Sequence, residues 1–207
     1  FALNLKTNET KLVAENPLAD VGGVLSHPTE NTIEAVSFTY DRTKWEILSD
    51  AVRDDLKYLR TVADGEIEVT SRTQDDNLWT VAYLMDDGPV RYYLYDRKAR
   101  DAKFLFTNRK DLEGLPLVKM HPVVITAGDG LKLVCYLTLP PNTDPDGDGR
   151  PSQPLPTVLD VHGGPWARES WGYSPDAQWN ANRGYATLSV NFRGSTGFGK
   201  EFVNAGN

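Results

Sequence analysis

The stretch "VLDVHGGPWARESWGYSPDAQWNANRGYATLSVNFRGSTGFG", residues 158–199, determines the predicted fold. It begins with an apolar run that can form a buried strand, and two glycines and a proline follow, where a chain turns sharply and exposes backbone N–H groups. A helix is predicted next, because Ser174 is a natural cap, Pro175 suits the first helical position and Gly184 stands where a helix ends. A second strand, a second glycine turn and a helix start at Lys200 follow. This order predicts an α/β sheet with a helical crossover.

The preceding part of the chain predicts a different architecture. Residues 1 to about 115 contain short runs of alternating apolar and polar residues, separated by turn signals at a spacing of about 8 to 12 residues. This pattern is typical of antiparallel sheets in a sandwich, barrel or propeller. One helix is predicted over residues 49–65, since Val52, Leu56 and Leu59 recur at helical spacing and Gly65 can end it.

Composition and charge exclude several classes of function. The 207 residues carry 22 Lys and Arg against 29 Asp and Glu, a formal charge of −7, which argues against binding to nucleic acid or to anionic membranes. The lone cysteine, Cys135, lies in an apolar run and is predicted to be a small buried side chain. No cofactor is predicted. Neither a membrane span nor a signal peptide is visible, and localisation stays open, with the cytoplasm slightly favoured.

Two glycine motifs carry a resemblance to a known family. With "HGGP" at 162–165 and "NFRGSTGFG" at 191–199, the segment from Leu117 onward resembles the front of the catalytic domain of the prolyl oligopeptidase family. The likeness is strongest to the acylaminoacyl peptidase and dipeptidyl aminopeptidase branch. It implies a mixed β and α/β fold, with C-terminal blades of a β-propeller over 1–115 and the N-terminal part of an α/β-hydrolase domain over 116–207. It also implies a serine-type peptidase acting on short peptides or acyl-peptides.

The resemblance implies a role for the first glycine turn. In α/β-hydrolases one oxyanion donor is the N–H after the nucleophile, and the other comes from a glycine turn near the third strand. By similarity, the second donor here is the backbone N–H of Gly164, and such donors contribute roughly 3 to 4 kcal/mol to transition-state stabilisation. The residues implied to support the turn are His162, Gly163, Pro165, Asn191, Arg193 and Gly194.

The functional interpretation of this turn has a simpler alternative, a tight turn that holds no ligand. His162 is interpreted as a positioning residue and not as the catalytic base. For Asn191, Arg193 and Trp166, bracing of the two turns is favoured over contact with substrate.

The catalytic triad of such an enzyme is not recognisable in this sequence. The triad needs a nucleophile on a G-x-S-x-G elbow, then an acid and then a histidine. Ser195 fails this pattern because Arg193 stands two residues before it, and His27 and His121 each precede a proline, where a turn or surface role is expected. We therefore expect a chain that begins within a propeller, stops before the nucleophile and is inactive alone. Unpaired strand edges in such a fragment predict self-association.

One further motif and two alternative functions stay open. The sequence "DPDGDG", residues 144–149, satisfies the first half of a calcium loop, but Leu155 stands where a bidentate Glu is needed. A solvated loop is favoured, with weak calcium binding by Asp144, Asp146 and Asp148 as the alternative. For the whole protein, a non-catalytic binding or scaffold module and an esterase of the α/β-hydrolase fold are the alternatives to a peptidase.

Overall fold

The computed structural model describes residues 1–164 and 166–206. Its strands are β1 Ala2–Leu3, β2 Thr10–Lys11, β3 Val21–Ser26, β4 Ile33–Thr39, β5 Thr43–Ile47, β6 Glu66–Arg72, β7 Leu78–Leu84, β8 Arg91–Asp96, β9 Asp101–Thr107, β10 Met120–Thr126, β11 Lys132–Thr138, β12 Thr157–Val161 and β13 Ala186–Val190. Its α-helices are α1 Arg53–Leu59, α2 Pro175–Ala181 and α3 Lys200–Asn204. Within these residues, no helix is long and apolar enough to cross a membrane.

The strands up to β9 form three antiparallel sheets. β1 pairs with β2, β3 to β5 form a three-stranded sheet, and β6 to β9 form a four-stranded meander. Trp79 and Tyr83 of β7 and Tyr95 of β8 are fully buried in one core. Leu56 and Leu59 of α1 pack into the same core. These large rings add apolar contact area to a core that residues of both neighbouring sheets share.

The fourth sheet is mixed and has the strand order β10-β11-β13-β12. β10, β11 and β13 pair antiparallel, whereas β12 and β13 run parallel. A parallel pair needs a crossover, and α2 supplies it. Ser174 caps this helix by accepting a hydrogen bond from the N–H of Ala177, as the sequence predicts. Since β12 and β13 are parallel neighbours, the glycine turns that follow them lie at the same edge of the sheet.

Three details of the antiparallel part differ from the sequence-based prediction. β3 is not among the predicted strands; its Gly22 and Gly23 lie against Ser37 of β4, and a Cβ on Gly23 would lie 3.0 Å from the Ser37 Oγ. β5 follows a turn at Asp41 and Arg42 that carries no glycine signal. The observed helix α1 is also shorter than the predicted one. Gly65 does not end it but leads into β6, and a Cβ on Gly65 would lie 2.7 Å from the Leu84 carbonyl oxygen.

The mixed sheet packs against the turn between β4 and β5. The Tyr136 hydroxyl donates to the carbonyl oxygen of Asp41 at 2.9 Å, and the Arg42 guanidinium lies 3.4 Å from the centre of the Trp171 ring. The Trp171 indole in turn donates to the carbonyl oxygen of Met120 at 2.9 Å. These contacts connect the mixed sheet with the three-stranded sheet through buried or half-buried groups.

β12 is an edge strand, and its apolar side chains are exposed. Val158, Leu159 and Val161 are 36%, 63% and 53% exposed, and β12 pairs with β13 alone among the described strands.

Self-association stays a prediction, and we expect the light-scattering mass of the purified chain to rise with concentration. Replacing Leu159 with Lys should weaken this association. A constant mass of 23.0 kDa at high concentration would contradict it.

Candidate functional site

The first glycine turn, residues 162–164, follows β12 directly. Gly164 has φ +142°, and a Cβ at this position would lie 2.7 Å from the backbone nitrogen of Trp166. This turn therefore requires glycine at 164. Gly163 and Gly164 are both exposed, and their N–H groups have no acceptor within residues 1–164 and 166–206. Pro165, which was predicted to support the turn, lies outside the described residues.

The imidazole of His162 is held at three points. Its Nδ1 lies 2.8 Å from the carbonyl oxygen of Gly163, and since a carbonyl oxygen only accepts, Nδ1 carries the proton. Its Nε2 lies 2.8 Å from the Ser195 hydroxyl, and in a neutral ring protonated at Nδ1 this nitrogen accepts the hydrogen bond. The ring stacks on Phe192, with centroids 4.5 Å apart and an interplanar angle of 24°. His162 thus joins the two glycine turns.

The His162–Ser195 contact has the spacing of a nucleophile and its general base, but the surroundings differ. Ser195 has no exposed surface, so a substrate carbonyl cannot approach its hydroxyl. His162 Nδ1 faces a backbone carbonyl, whereas a catalytic base of this type is oriented by a third group, usually a carboxylate. The pair therefore has the features of a structural hydrogen bond.

Asn191 connects the two turns from the inside. It is fully buried; its Oδ1 accepts from the N–H of Glu169 at 2.8 Å, and its Nδ2 donates to the carbonyl oxygen of the same residue at 3.1 Å. This reciprocal pair fixes the backbone that leaves the first turn. Burial raises the pKa of the Glu169 carboxyl, and the negative charge of Asp160 adds to the rise, while His162 opposes it.

Arg168 is a site residue that the sequence did not identify. Its guanidinium donates to the carbonyl oxygens of Thr39 at 3.0 Å and Tyr40 at 3.2 Å, and it lies 4.5 Å from the centre of the Phe198 ring. It thereby connects the segment after the first turn, the second turn and the β4–β5 turn. Its acceptors are backbone carbonyls, which every residue has, so no sequence signal marks these contacts.

The other described residues that were predicted to support or brace the turns are Arg193, Gly194 and Trp166. Arg193 pairs with Asp129 in the β10–β11 turn, and its hydrogen bond lowers the pKa of the Asp129 carboxyl. Arg193 therefore braces the second turn against the hairpin and not against the first turn. Gly194 has φ +98° and donates to the carbonyl oxygen of Phe202 at 2.9 Å. The side chain of Trp166 is 65% exposed, and its bracing role stays a prediction.

The acidic loop after β11 closes on itself. Carboxylate oxygens of Asp144, Asp146 and Asp148 lie within 4.8 Å of one another. The Asp144 carboxylate accepts from the N–H groups of Asp148 at 3.1 Å and Gly149 at 3.0 Å. These bonds hold the loop in a compact turn, and both the solvated loop and weak calcium binding stay predictions.

Comparisons with known proteins identify relatives along the whole chain. No family model matches it. Dipeptidyl aminopeptidase BIII of Pseudoxanthomonas mexicana is 50% identical over 207 residues, which are 100% of this chain and 30% of that protein. Dipeptidyl peptidase family member 6 of Caenorhabditis elegans is 37% identical over 204 residues, covering 91% of this chain and 28% of that protein. The chain thus spans about 30% of the length of the curated relatives it matches.

Solved structures show the same relationship at the level of the fold. A puromycin-hydrolysing peptidase of Mycobacterium tuberculosis superposes with a TM-score of 0.66 at 16% identity, covering 96% of this chain and 31% of that one. The mostly antiparallel sheets described above resemble the β-propeller region of such peptidases. Relatives and solved structures together show that the chain is homologous to peptidases of the prolyl oligopeptidase family and matches a part of them.

Proposed function

We propose that the chain is part of a serine-type peptidase that hydrolyses short peptides or acyl-peptides through an acyl-enzyme, and that its first glycine turn binds the oxyanion. The observation that carries this proposal is the N–H of the exposed residue Gly164, which has no acceptor within the described residues and belongs to a peptide unit held by His162. The relatives are named dipeptidyl peptidases, which supports short peptides as the substrate class.

The proposed role follows from the planarity of the peptide unit. The Gly163 carbonyl and the Gly164 N–H belong to one trans peptide unit, so they point in opposite directions. Because the His162 Nδ1–H binds the carbonyl oxygen, the Gly164 N–H is directed away from the imidazole. During acyl transfer the carbonyl oxygen of the substrate gains nearly a full negative charge. An N–H that is already oriented stabilises this charge without reorganisation.

We propose a division of the chain at about residue 115, with propeller blades before it and the first part of an α/β-hydrolase domain after it. The last antiparallel sheet ends at Thr107 and the mixed sheet begins at Met120. The parallel β12–α2–β13 unit supports the second assignment, because an oxyanion turn follows a strand of such a sheet.

The chain alone is not expected to catalyse hydrolysis. Its 207 residues contain no G-x-S-x-G elbow, and Ser195, whose hydroxyl is bonded to a ring nitrogen of His162, has no exposed surface. Donors without a nucleophile and base leave at most a small residual rate. A longer protein that carries these residues and reaches the length of the relatives should be active.

Activity measurements on this chain and on the longer protein test the proposed function. The chain and the longer protein are incubated with a chromogenic dipeptide amide, an acyl-peptide, a simple ester and a fluorophosphonate probe. We expect turnover of the peptide substrates and labelling of one serine in the longer protein, and neither in the chain. Turnover of the ester alone would favour the esterase, and binding without turnover or labelling would favour the scaffold module. Labelling of Ser195 in the chain would contradict the proposal.

A further inference from the structure

The second glycine turn places the buried hydroxyl of Ser195 next to His162 of the first glycine turn. Ser195 has no exposed surface, and its hydroxyl has a hydrogen-bond partner in His162 Nε2 at 2.8 Å and in no other group of the described chain. If this single partner moved away, the buried hydroxyl would lose its hydrogen bond, which costs free energy. The position of the imidazole and that of the Ser195 side chain are therefore coupled.

The imidazole transmits this coupling to the backbone of the first turn. With Phe192 against one face and Ser195 at Nε2, the ring has little freedom to rotate. Its Nδ1–H then fixes the carbonyl oxygen of Gly163 at 2.8 Å. Because the Gly163–Gly164 unit is planar, a fixed carbonyl also fixes the direction of the Gly164 N–H.

We propose that Ser195 is a positioning residue that acts through His162 to orient the Gly164 N–H. The inference rests on the proposed function for its catalytic consequence, but the coupling itself can be observed without catalysis. Ser195 is then neither a nucleophile nor a passive core residue. Its position on the second turn gives a reason why both glycine turns are needed in one site.

Nuclear magnetic resonance can observe this peptide unit almost alone. The sequence contains two Gly-Gly pairs, Gly22–Gly23 and Gly163–Gly164. If glycine is the only labelled residue, with ¹³C at the carbonyl and ¹⁵N at the amide, a carbonyl-to-amide correlation shows the N–H of Gly23 and of Gly164. Gly23 lies on β3 and serves as an internal reference. The histidine rings are read in a second sample with ¹⁵N-histidine, since the chain has only three histidines.

The matched pair of variants is Ser195→Ala and Ser189→Ala. Ser189 is also a buried serine of this sheet, but its hydroxyl donates to Asp160 at 3.3 Å. In the wild type, the two hydrogen bonds lead us to expect a His162 ring that is protonated at Nδ1 and accepts at Nε2. Ser195→Ala should move the Nε2 signal and the Gly164 signal and leave Gly23 in place. Ser189→Ala should move neither His162 nor Gly164.

Steady-state kinetics of the longer protein measure the effect of Ser195→Ala on catalysis. Loss of one neutral hydrogen bond behind the donor should lower kcat roughly 10-fold in Ser195→Ala, with KM unchanged. Unchanged His162 and Gly164 signals in Ser195→Ala, or labelling of Ser195 by the fluorophosphonate, would overturn the inference. If both signals move while kcat stays the same, the coupling is supported and the oxyanion role of Gly164 is overturned instead.

Discussion

Replacing Gly164 with glycolic acid, which changes one backbone N–H to an ester oxygen, is expected to lower kcat of the longer protein by roughly 10² to 10³. Ground-state binding should change little, because the oxygen of the substrate carries its full negative charge only in the transition state. The measurement is steady-state turnover of a chromogenic peptide substrate, with KM determined in the same experiment.

A backbone ester is a sharper change than a side-chain substitution here. Gly164 has φ +142°, and a Cβ would lie 2.7 Å from the nitrogen of Trp166, so alanine would distort the turn. Proline removes the N–H but locks φ near −65°, which also rebuilds the turn. The ester removes the proton and keeps the glycine geometry.

The control is the same ester at Gly163. This residue is exposed and has open space around its Cβ position, but its N–H belongs to a different peptide unit. We expect the Gly163 ester to keep nearly full turnover. A large loss at 163 with none at 164 would assign the donor to the neighbouring peptide, and full activity of both esters would mean that this turn does not hold the oxyanion.

The mixed sheet and its turns were largely predictable from the sequence, because their signals are local. Ser174, Pro175 and Gly184 mark the two ends of α2 through capping and backbone preferences that need no distant partner. The glycine pair after β12 indicates a turn with exposed N–H groups. Local signals also fixed the β10–β11 hairpin, which turns at residues 127–131 as the glycines there predict.

Other site features depend on contacts that no local pattern encodes. The Arg168 guanidinium binds carbonyl oxygens 128 and 129 residues away, and its acceptors are backbone atoms. The His162–Ser195 bond joins residues 33 positions apart, and it forms because β12 and β13 are parallel neighbours. A strand order that is not sequential cannot be read from residue spacing.

The antiparallel part holds a further arrangement that the sequence hides. In an alternating strand, charged residues read as the solvent-facing set. The side chains of Glu34 on β4 and Arg72 on β6 are instead buried, and they join Asp55, Asp76 and Arg97 in one cluster of three carboxylates and two guanidinium groups. The guanidinium carbons lie 4.6 Å and 4.8 Å from the centre of the buried Trp79 ring.

Replacing Asp76 with Asn is expected to lower the free energy of unfolding by about 3 to 5 kcal/mol. Asp76 is 5% exposed; its carboxylate accepts two hydrogen bonds from Arg72, at 2.6 and 2.5 Å, one from the Trp79 indole at 2.8 Å and one from Arg97. Without this charge, both guanidinium groups stay buried with less compensation. Asparagine keeps the shape of the side chain and tolerates φ +55° at this position, so the loss reports the charge.

Urea unfolding, followed by tryptophan fluorescence, measures this effect, and Asp54→Asn is its matched control. Asp54 also pairs with an arginine, Arg100, at 2.8 Å, but the two side chains are 67% and 60% exposed. Exposed pairs of this kind contribute about 0.2 to 1 kcal/mol. Asp54→Asn should therefore shift the urea midpoint of unfolding only slightly. Asp76→Asn should remove a large share of the free energy of unfolding, which is roughly 5 to 15 kcal/mol for a typical domain. Equal effects of the two variants would mean that the buried cluster contributes no more to stability than a surface pair does.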